Sequence, residues 1–466
     1  MALKISVILN NKWLYRCLIF FIGLASILIF NISSNINFPD AKGYWLMAEG
    51  IINGRFSSWH FLTDYYPETL RTPGYPLFLA FCRLFSDSTF FVKIIQLLLY
   101  FTSVLICLSI LKPLGKGFTY RNVFLLLLLP NVQIVYYSGY VASEMLSIFL
   151  TVLMIKCSLR DKKKSDAVIL GIVSYLLFIT KPAFLIFPFA LASYILFLDR
   201  KNLSYSFCFI LTFSVLLIPF GVWNKINHGK FKITSVEGGA GVAHLGFWQL
   251  KLPDGYQEPF YWYNNTSYDL TKPHFYAEDE LEKNKIEFEK EWFSILNELG
   301  QYNSPEDSVN LNLMNSDNPG IFLLYNSEFT LQREHLLWNL TLNNIKENPI
   351  YYSKSRLYNL VRFYVTGINY KVLENSKNFT EKIKAIFPFF VTLIFIFFGL
   401  LLSTVIIFRR KNQLSKYIPL VLLVWYIALV HLPFAIQARY TVPVHLIIIL
   451  ITSISINKLI LKSNYE

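Results

Sequence analysis

Apolar residues along this chain gather into long blocks separated by short basic connectors, rather than alternating evenly with polar ones. A helix crossing a bilayer needs about 20 predominantly apolar residues, within a range of roughly 17 to 25. Ten blocks meet or approach that length: 14–31, 91–111, 121–139, 142–159, 166–180, 182–199, 204–223, 385–408, 416–434 and 439–457. The fifth and sixth are short and predict a tight hairpin around Lys181–Pro182. Two stretches are too polar to span. In residues 32–90, the run DAKGYWLMAEGIING repeats its apolar positions at helical spacing. The run RTPGYPLFLAFCRLF is apolar but too short to cross. Both predict helices lying at the membrane surface. Residues 224–384 combine a Gly-rich start, an acidic middle and an amphipathic run around Glu334 to Leu342. The pattern predicts an all-α polytopic membrane protein of about ten transmembrane helices. Residues 1–223 form a bundle that includes the first outer loop, 224–384 an extracytoplasmic segment of mixed structure, and 385–466 the C-terminal membrane helices.

Composition agrees. Of 466 residues, 54% are hydrophobic and 16% charged, with a mean hydropathy of +0.42. Soluble proteins carry about 25% charged residues, so a single soluble domain is excluded, as is disorder. The net charge of +13 raises the question of a nucleic-acid partner, but its distribution answers against one. Residues 224–384 hold 17 basic and 20 acidic residues. The excess lies in short connectors: Lys112, Lys116 and Arg121; Arg160 and Lys162 to Lys164; Arg200 and Lys201; Arg409 to Lys411. Basic residues mark cytoplasmic loops. With the amino terminus inside, all these connectors fall inside, and ten spans return the carboxyl terminus to the same side. The expectation is a multi-pass membrane protein with both termini cytoplasmic and an uncleaved first span. The five cysteines lie in or beside apolar stretches and form no Cys-x-x-Cys pair, so they read as core residues. No cofactor is evident, and a divalent metal is possible without being indicated.

Chemistry concentrates at the outer ends of the spans. Asp40, in FPDAKGYW, follows the first span; the position suits a helix N-cap, which spacing favours, and also a general base. Glu68 and Arg71 stand three apart beside Pro73, Gly74 and Pro76, which force a rigid entry into the next helix; their bland reading is a surface ion pair. Glu144 opens the fourth span, as a dipole-favoured helix start or as a group facing a polar cavity. Lys93, Lys181 and Arg439 are cations on the outer side, where orientation does not need them, and are suited either to a phosphate or to snorkelling. The stretch VEGGAGVAHLG at 236–246 lacks P-loop and dinucleotide spacing and reads as a pliable loop, with His244 a hydrogen-bonded loop histidine or, less simply, a ligand or proton carrier.

Taken in order, FPDAKGYWLMAEGIINGRF, ETLRTPGYPLFLAFCRLF, SEMLSIFL, LLFITKPAFLIFPFAL, IPFGVWNKINHGKFKITSVEGGAGVAHLG and QARYTVPVHLII resemble the polytopic glycosyltransferases of the GT-C fold. The similarity is to the bacterial family 39 type, related to protein O-mannosyltransferases and to the aminoarabinose transferase that modifies lipid A. It runs from residue 38 to about 450, with nothing comparable between Lys251 and Leu331. The resemblance implies transfer of a sugar from a polyprenyl-phosphate donor to a hydroxyl of an envelope lipid, glycan or protein at the extracytoplasmic face, with inversion. It implies Asp40 as base, Arg71, Lys181 and Arg439 on the leaving phosphate, Glu68 and Glu144 ordering them or touching the sugar, and Tyr440 beside Arg439 in the substrate-binding set. Relatives commonly carry Arg-Asn after the proline of the seventh span; here Trp223 precedes Asn224, and Lys225 is the candidate replacement. The competing classes are a lipid flippase or transporter and a polysaccharide polymerase or ligase.

Overall fold

The structure is a computed structural model. It describes residues 7–36, 40–115, 117–160, 162–198, 200–253, 256, 276–299, 327–366, 373, 376–410 and 414–462. Phe38 and Pro39, Lys116, Lys411 and most of the stretch between Lys251 and Leu331 lie outside them. Among the described residues every regular element is helical. They are α1 (Lys12–Ser33), α2 (Ala41–Ile52), α3 (Gly74–Arg83), α4 (Thr89–Leu111), α5 (Thr119–Leu128), α6 (Glu144–Ser158), α7 (Lys164–Thr180), α8 (Phe187–Leu198) and α9 (Leu203–His228). There follow α10 (Ala240–Trp248), α11 (Glu278–Glu298), α12 (Ser327–Glu347), α13 (Pro349–Tyr364), α14 (Phe379–Val391), α15 (Gly399–Arg409), α16 (Ile418–His431) and α17 (Val442–Lys462).

Among the described residues, six stretches are long and apolar enough to cross a membrane: Lys12–Ser33, Thr89–Leu114, Thr119–Gly139, Arg200–His228, Phe379–Arg409 and Arg439–Leu459. This is a helical, multi-pass membrane protein by the length and composition of its helices. Pro182–Leu198 and Ser415–His431 are apolar but shorter. The other two expected spans are helices of 15 and 17 residues, α6 and α7. At about 1.5 Å per residue they reach roughly 23 and 26 Å, less than the ~30 Å hydrocarbon layer. The third expected span is not one α-helix. Pro130 cannot donate to the helical ladder, and the chain continues from α5 as a tighter 3₁₀ helix over Leu129–Gly139.

The hub is α17. It packs against α4, α5, α6, α15 and α16, and nearly all of its apolar side chains from Val442 to Ile454 are buried. Helix α1 instead leaves Phe20, Phe21, Leu24, Ile27 and Leu28 exposed, as a helix facing lipid does. The two helices expected in the first loop are present, and α2 packs on α3. Helix α3 buries Tyr75, Leu79 and Cys82 but exposes Leu77, Phe81, Leu84 and Phe85, which suits a helix lying at an apolar surface.

A second core joins Phe247, Trp248 and Leu252 to Phe288, Trp292 and Leu337, and includes Ala435 from the connector between α16 and α17. Here the sequence expectation of a pliable loop at 236–246 is corrected: Ala240–Trp248 is helical. Gly239 takes a left-handed φ of 88° at the helix start. Gly246 has no Cβ, and a Cβ there would stand 2.5 Å from the Phe434 carbonyl carbon. The glycines therefore permit a turn and a close approach. His244 lies on this helix, fully buried, with Nε2 on the Glu291 carboxylate and its ring stacked on Phe288.

Candidate functional site

The site starts from α2. Asp40 is its N-cap residue, and its main-chain carbonyl accepts the Tyr44 N–H, yet its side chain makes no cap hydrogen bond. The capping role favoured by spacing is corrected. The carboxylate instead spans two guanidiniums: Oδ1 lies 3.3 Å from Arg71 Nη2, and Oδ2 lies 3.3 Å from Arg439 Nη1. These partners sit 31 and 399 residues away, so only the fold unites them. One turn on from Asp40, the Tyr44 ring lies under the Arg71 guanidinium at 5.3 Å.

Glu68 holds the Arg71 loop from a buried position and is not part of a surface ion pair. It is buried, and Oε1 accepts the main-chain N–H groups of Leu70 and Arg71 at 3.1 and 3.2 Å, while Oε2 accepts the Ser58 hydroxyl at 3.1 Å. The next residue, Thr69, gives its carbonyl to the Glu237 N–H at 2.9 Å. Glu237 pairs with Arg333 at 3.1 Å, and Glu334 accepts the N–H groups of Gly238 and Ala240 at 2.6 and 3.1 Å. Helix α12 thus braces the strip that touches the Arg71 loop. Hydrogen bonds to a charged group contribute about 1.5–3 kcal/mol each. Glu334→Ala is expected to lower the melting temperature in detergent clearly more than Glu328→Ala does at the exposed start of α12, which thermal unfolding checks.

Lys181 follows α7 and pairs with Glu144, in the first turn of α6, at 3.2 Å. Glu144 starts a helix, as one expectation had it, and its carboxylate is paired with a cation. A Cβ on Gly74, at the start of α3, would stand 2.6 Å from the Ile179 and Thr180 backbone. The absent side chain therefore lets the Arg71–Gly74 loop abut the chain just before Lys181. Arg439 donates from Nε to Gln437 Oε1 at 2.6 Å, and its neighbour Tyr440 stacks on His431 at 5.0 Å. The connector from α16 is clamped to α10: Gln249 makes both amide bonds with the Ile436 backbone, each 2.9 Å.

Two expected cations point elsewhere. Lys93 donates to the Ser34 carbonyl at 2.7 Å. Lys225 donates to the Gly229 carbonyl on the exposed surface and does not supply a replacement cation at Asp40; Asn224 holds the 232–234 backbone, accepting no phosphate role from this geometry. Sequence reasoning missed Tyr44, Gln437 and His431. Tyr44 had a signal, its spacing of four from Asp40, whereas the other two are recognised only through Arg439 and Tyr440.

The Asp40 carboxylate is 19% exposed. Burial pushes it up, but Arg71, Arg439 and Lys181 outweigh that and hold it below the ordinary carboxylate value. Burial pushes Glu68 up, and the Leu70, Arg71 and Ser58 bonds only partly offset it. The linkage signs are opposite. Asp40 contributes stability that is present above its unfolded value of 3.8 and is lost as pH falls through its lowered folded value. Glu68 contributes most below 4.5 and loses it as pH rises through its raised folded value. Melting curves of wild type and Asp40→Asn are expected to converge as the solution is acidified below about pH 4; curves that stay parallel contradict the assignment.

Three cations and two carboxylates thus gather at one end of the bundle, an arrangement suited to holding an anion beside a base. Among the described residues, no three His, Cys, Asp or Glu side chains group so as to hold a metal ion. Comparison with family models, curated proteins and solved structures finds no match to this chain.

Proposed function

We propose that this protein is a membrane glycosyltransferase that moves a sugar from a polyprenyl-phosphate donor to an acceptor hydroxyl. The observation that carries the reading is the Asp40 carboxylate held between Arg71 and Arg439, with the Lys181–Glu144 pair alongside. Asp40 takes the proton of the acceptor hydroxyl as its oxygen attacks the anomeric carbon. The bond to the phosphate oxygen breaks on the opposite face, so the configuration inverts. The polyprenyl phosphate leaves already ionised and needs no proton. Preorganised cations stabilise charge that develops in a transition state, the part assigned to Arg71, Arg439 and Lys181. Glu68 fixes the Arg71 backbone and Glu144 orients Lys181, while Tyr440 keeps the Arg439 turn seated on His431.

In this reading all ten helical segments cross or enter the membrane, with the basic connectors cytoplasmic and the Asp40 end outside, in a bacterial plasma membrane. An acceptor then approaches from outside, and the donor laterally from lipid. The resting geometry adds a feature: the carboxylate already occupies both arginines. A donor phosphate competes for them and thereby frees the base, so donor binding precedes activation of the acceptor. The test is single-turnover release of polyprenyl phosphate by the purified protein in lipid, across a panel of polyprenyl-phosphoryl sugars. Release that requires Asp40 and an acceptor is expected; transport of the intact donor without release contradicts the proposal.

A further inference from the structure

Helix α13 wears its polarity inside out. Its buried positions are Ser355, Arg356, Asn359, Phe363 and Tyr364. Outward it presents Ile350, Leu357, Tyr358 and Val361, with relative exposures of 72%, 69%, 46% and 40%. A water-facing helix puts its apolar stripe toward the core and its polar face outward. Here Ser355, Arg356 and Asn359 turn inward, and Ser353 and Lys354 are the polar residues left exposed, near the helix start. Arg356 donates from Nη2 to the Gly246 carbonyl at 2.6 Å, from Nη1 to the carbonyls of Leu432 and Phe434, and from Nε to Ser355 Oγ at 3.2 Å. Asn359 Oδ1 accepts from Arg362 at 3.3 Å.

The end of α13 also lies deep. Tyr364 donates its hydroxyl to the Val424 carbonyl at 2.8 Å, in the middle of the apolar stretch Ser415–His431. Just beyond the helix, the Thr366 N–H donates to Thr392 Oγ1 at 3.0 Å. Thr392 stands inside the membrane-crossing stretch Phe379–Arg409, roughly 12 Å past Lys384, the last charged residue before its apolar run, at about 1.5 Å per residue. Beyond Lys384 that stretch exposes Phe387 and Phe390.

We propose that α13 is a re-entrant helix that dips into the bilayer, with Leu357, Tyr358 and Val361 in contact with lipid acyl chains. A helix satisfies its own backbone, which is what hydrocarbon requires. Its mixed composition hides it from any search for apolar runs, because Arg356 and Asn359 turn inward, while Lys354 lies on the outward face a turn nearer the helix start, where a long stem carries its ammonium to the headgroups. Since α13 packs against Ala438–Thr441 and Arg356 grips the connector before it, the turn carrying Arg439 is held from the lipid side. This inference needs the membrane but not the transferase reading.

The test places p-benzoylphenylalanine at Leu357 or Val361 of the full-length chain in lipid nanodiscs, with Gln332 on α12 as the exposed polar control. Illumination is expected to give lipid adducts by intact mass at both stripe positions, about tenfold more than at position 332, where no acyl chain is within reach. The two stripe sites serve as independent variants, and each is scored only on protein that elutes as wild type. Adduct yields no higher than at 332 overturn the proposal. Cross-linking into a second copy of the chain overturns it equally, since the face is then a protein interface.

Discussion

Asp40→Asn is expected to cut glycosyl transfer by about 10²–10⁴-fold, the usual contribution of a positioned general acid or base, while the protein accumulates in the membrane as wild type does. An amide of the same shape can accept from one of the two guanidiniums through its oxygen, turns its NH2 toward the other, and cannot take a proton. The same variant is expected to bind polyprenyl phosphate more tightly, because it removes the anion that competes for both guanidiniums. Native mass spectrometry of the lipid-bound protein reads that shift separately from turnover. Arg439→Ala is expected to do the reverse and weaken phosphate binding. A fall in affinity in Asp40→Asn contradicts the competition even if transfer is lost.

Gly74→Ala is expected to strain the backbone that joins the Arg71 loop to the Lys181 turn. The added Cβ meets main-chain atoms of Ile179 and Thr180 at 2.6 Å, and backbone cannot swing aside as a side-chain tip does. Overpacking of this kind costs about 1–3 kcal/mol. The strain falls between Arg71 and Lys181, three and one residues from the contact. Loss of transfer should therefore exceed what the drop in melting temperature explains. Gly54→Ala is the comparison, a surface glycine with open space around it whose penalty comes only from its φ of 77°. It should lower stability without a matching loss of rate.

Much of the architecture was legible because lipid imposes a harsh rule. A block of apolar residues such as Leu18–Phe30 or Val442–Ile454 has few other places to go, and each expected span is helical in the structure. What length alone did not decide was how many cross. Helices α6 and α7 are short and α6 is almost wholly buried by its neighbours, so apolarity there reflects burial in protein as much as contact with lipid. Helix α13 shows the converse. Arg356 and Asn359 face inward and Leu357 and Val361 outward, and a hydropathy window cannot see direction.

The site was legible in its charges and not in its wiring. Asp40, Arg71, Lys181 and Arg439 stood out because cations and carboxylates are costly near apolar spans. Nothing in the local sequence distinguishes Asp40 as a cap from Asp40 as the partner of an arginine 399 residues away. Glu68 illustrates the same limit. Its spacing from Arg71 suggests an ion pair, whereas the carboxylate is used on the backbone that carries Arg71. The glycines of 236–246 suggested looseness, and they serve closeness instead, since Gly246 lets α10 press against Phe434 and Ala435.

The central claim is that this bundle end transfers a sugar from a lipid phosphate. It is met most directly by intact-mass analysis of envelope glycans and lipids from cells that carry the wild-type gene, no gene, or the Asp40→Asn gene. The account predicts one glycan or lipid species that is present with wild type and shortened by a single sugar in both other strains, with the freed donor accumulating. Identical envelopes in all three strains, or an Asp40→Asn strain indistinguishable from wild type, would contradict it.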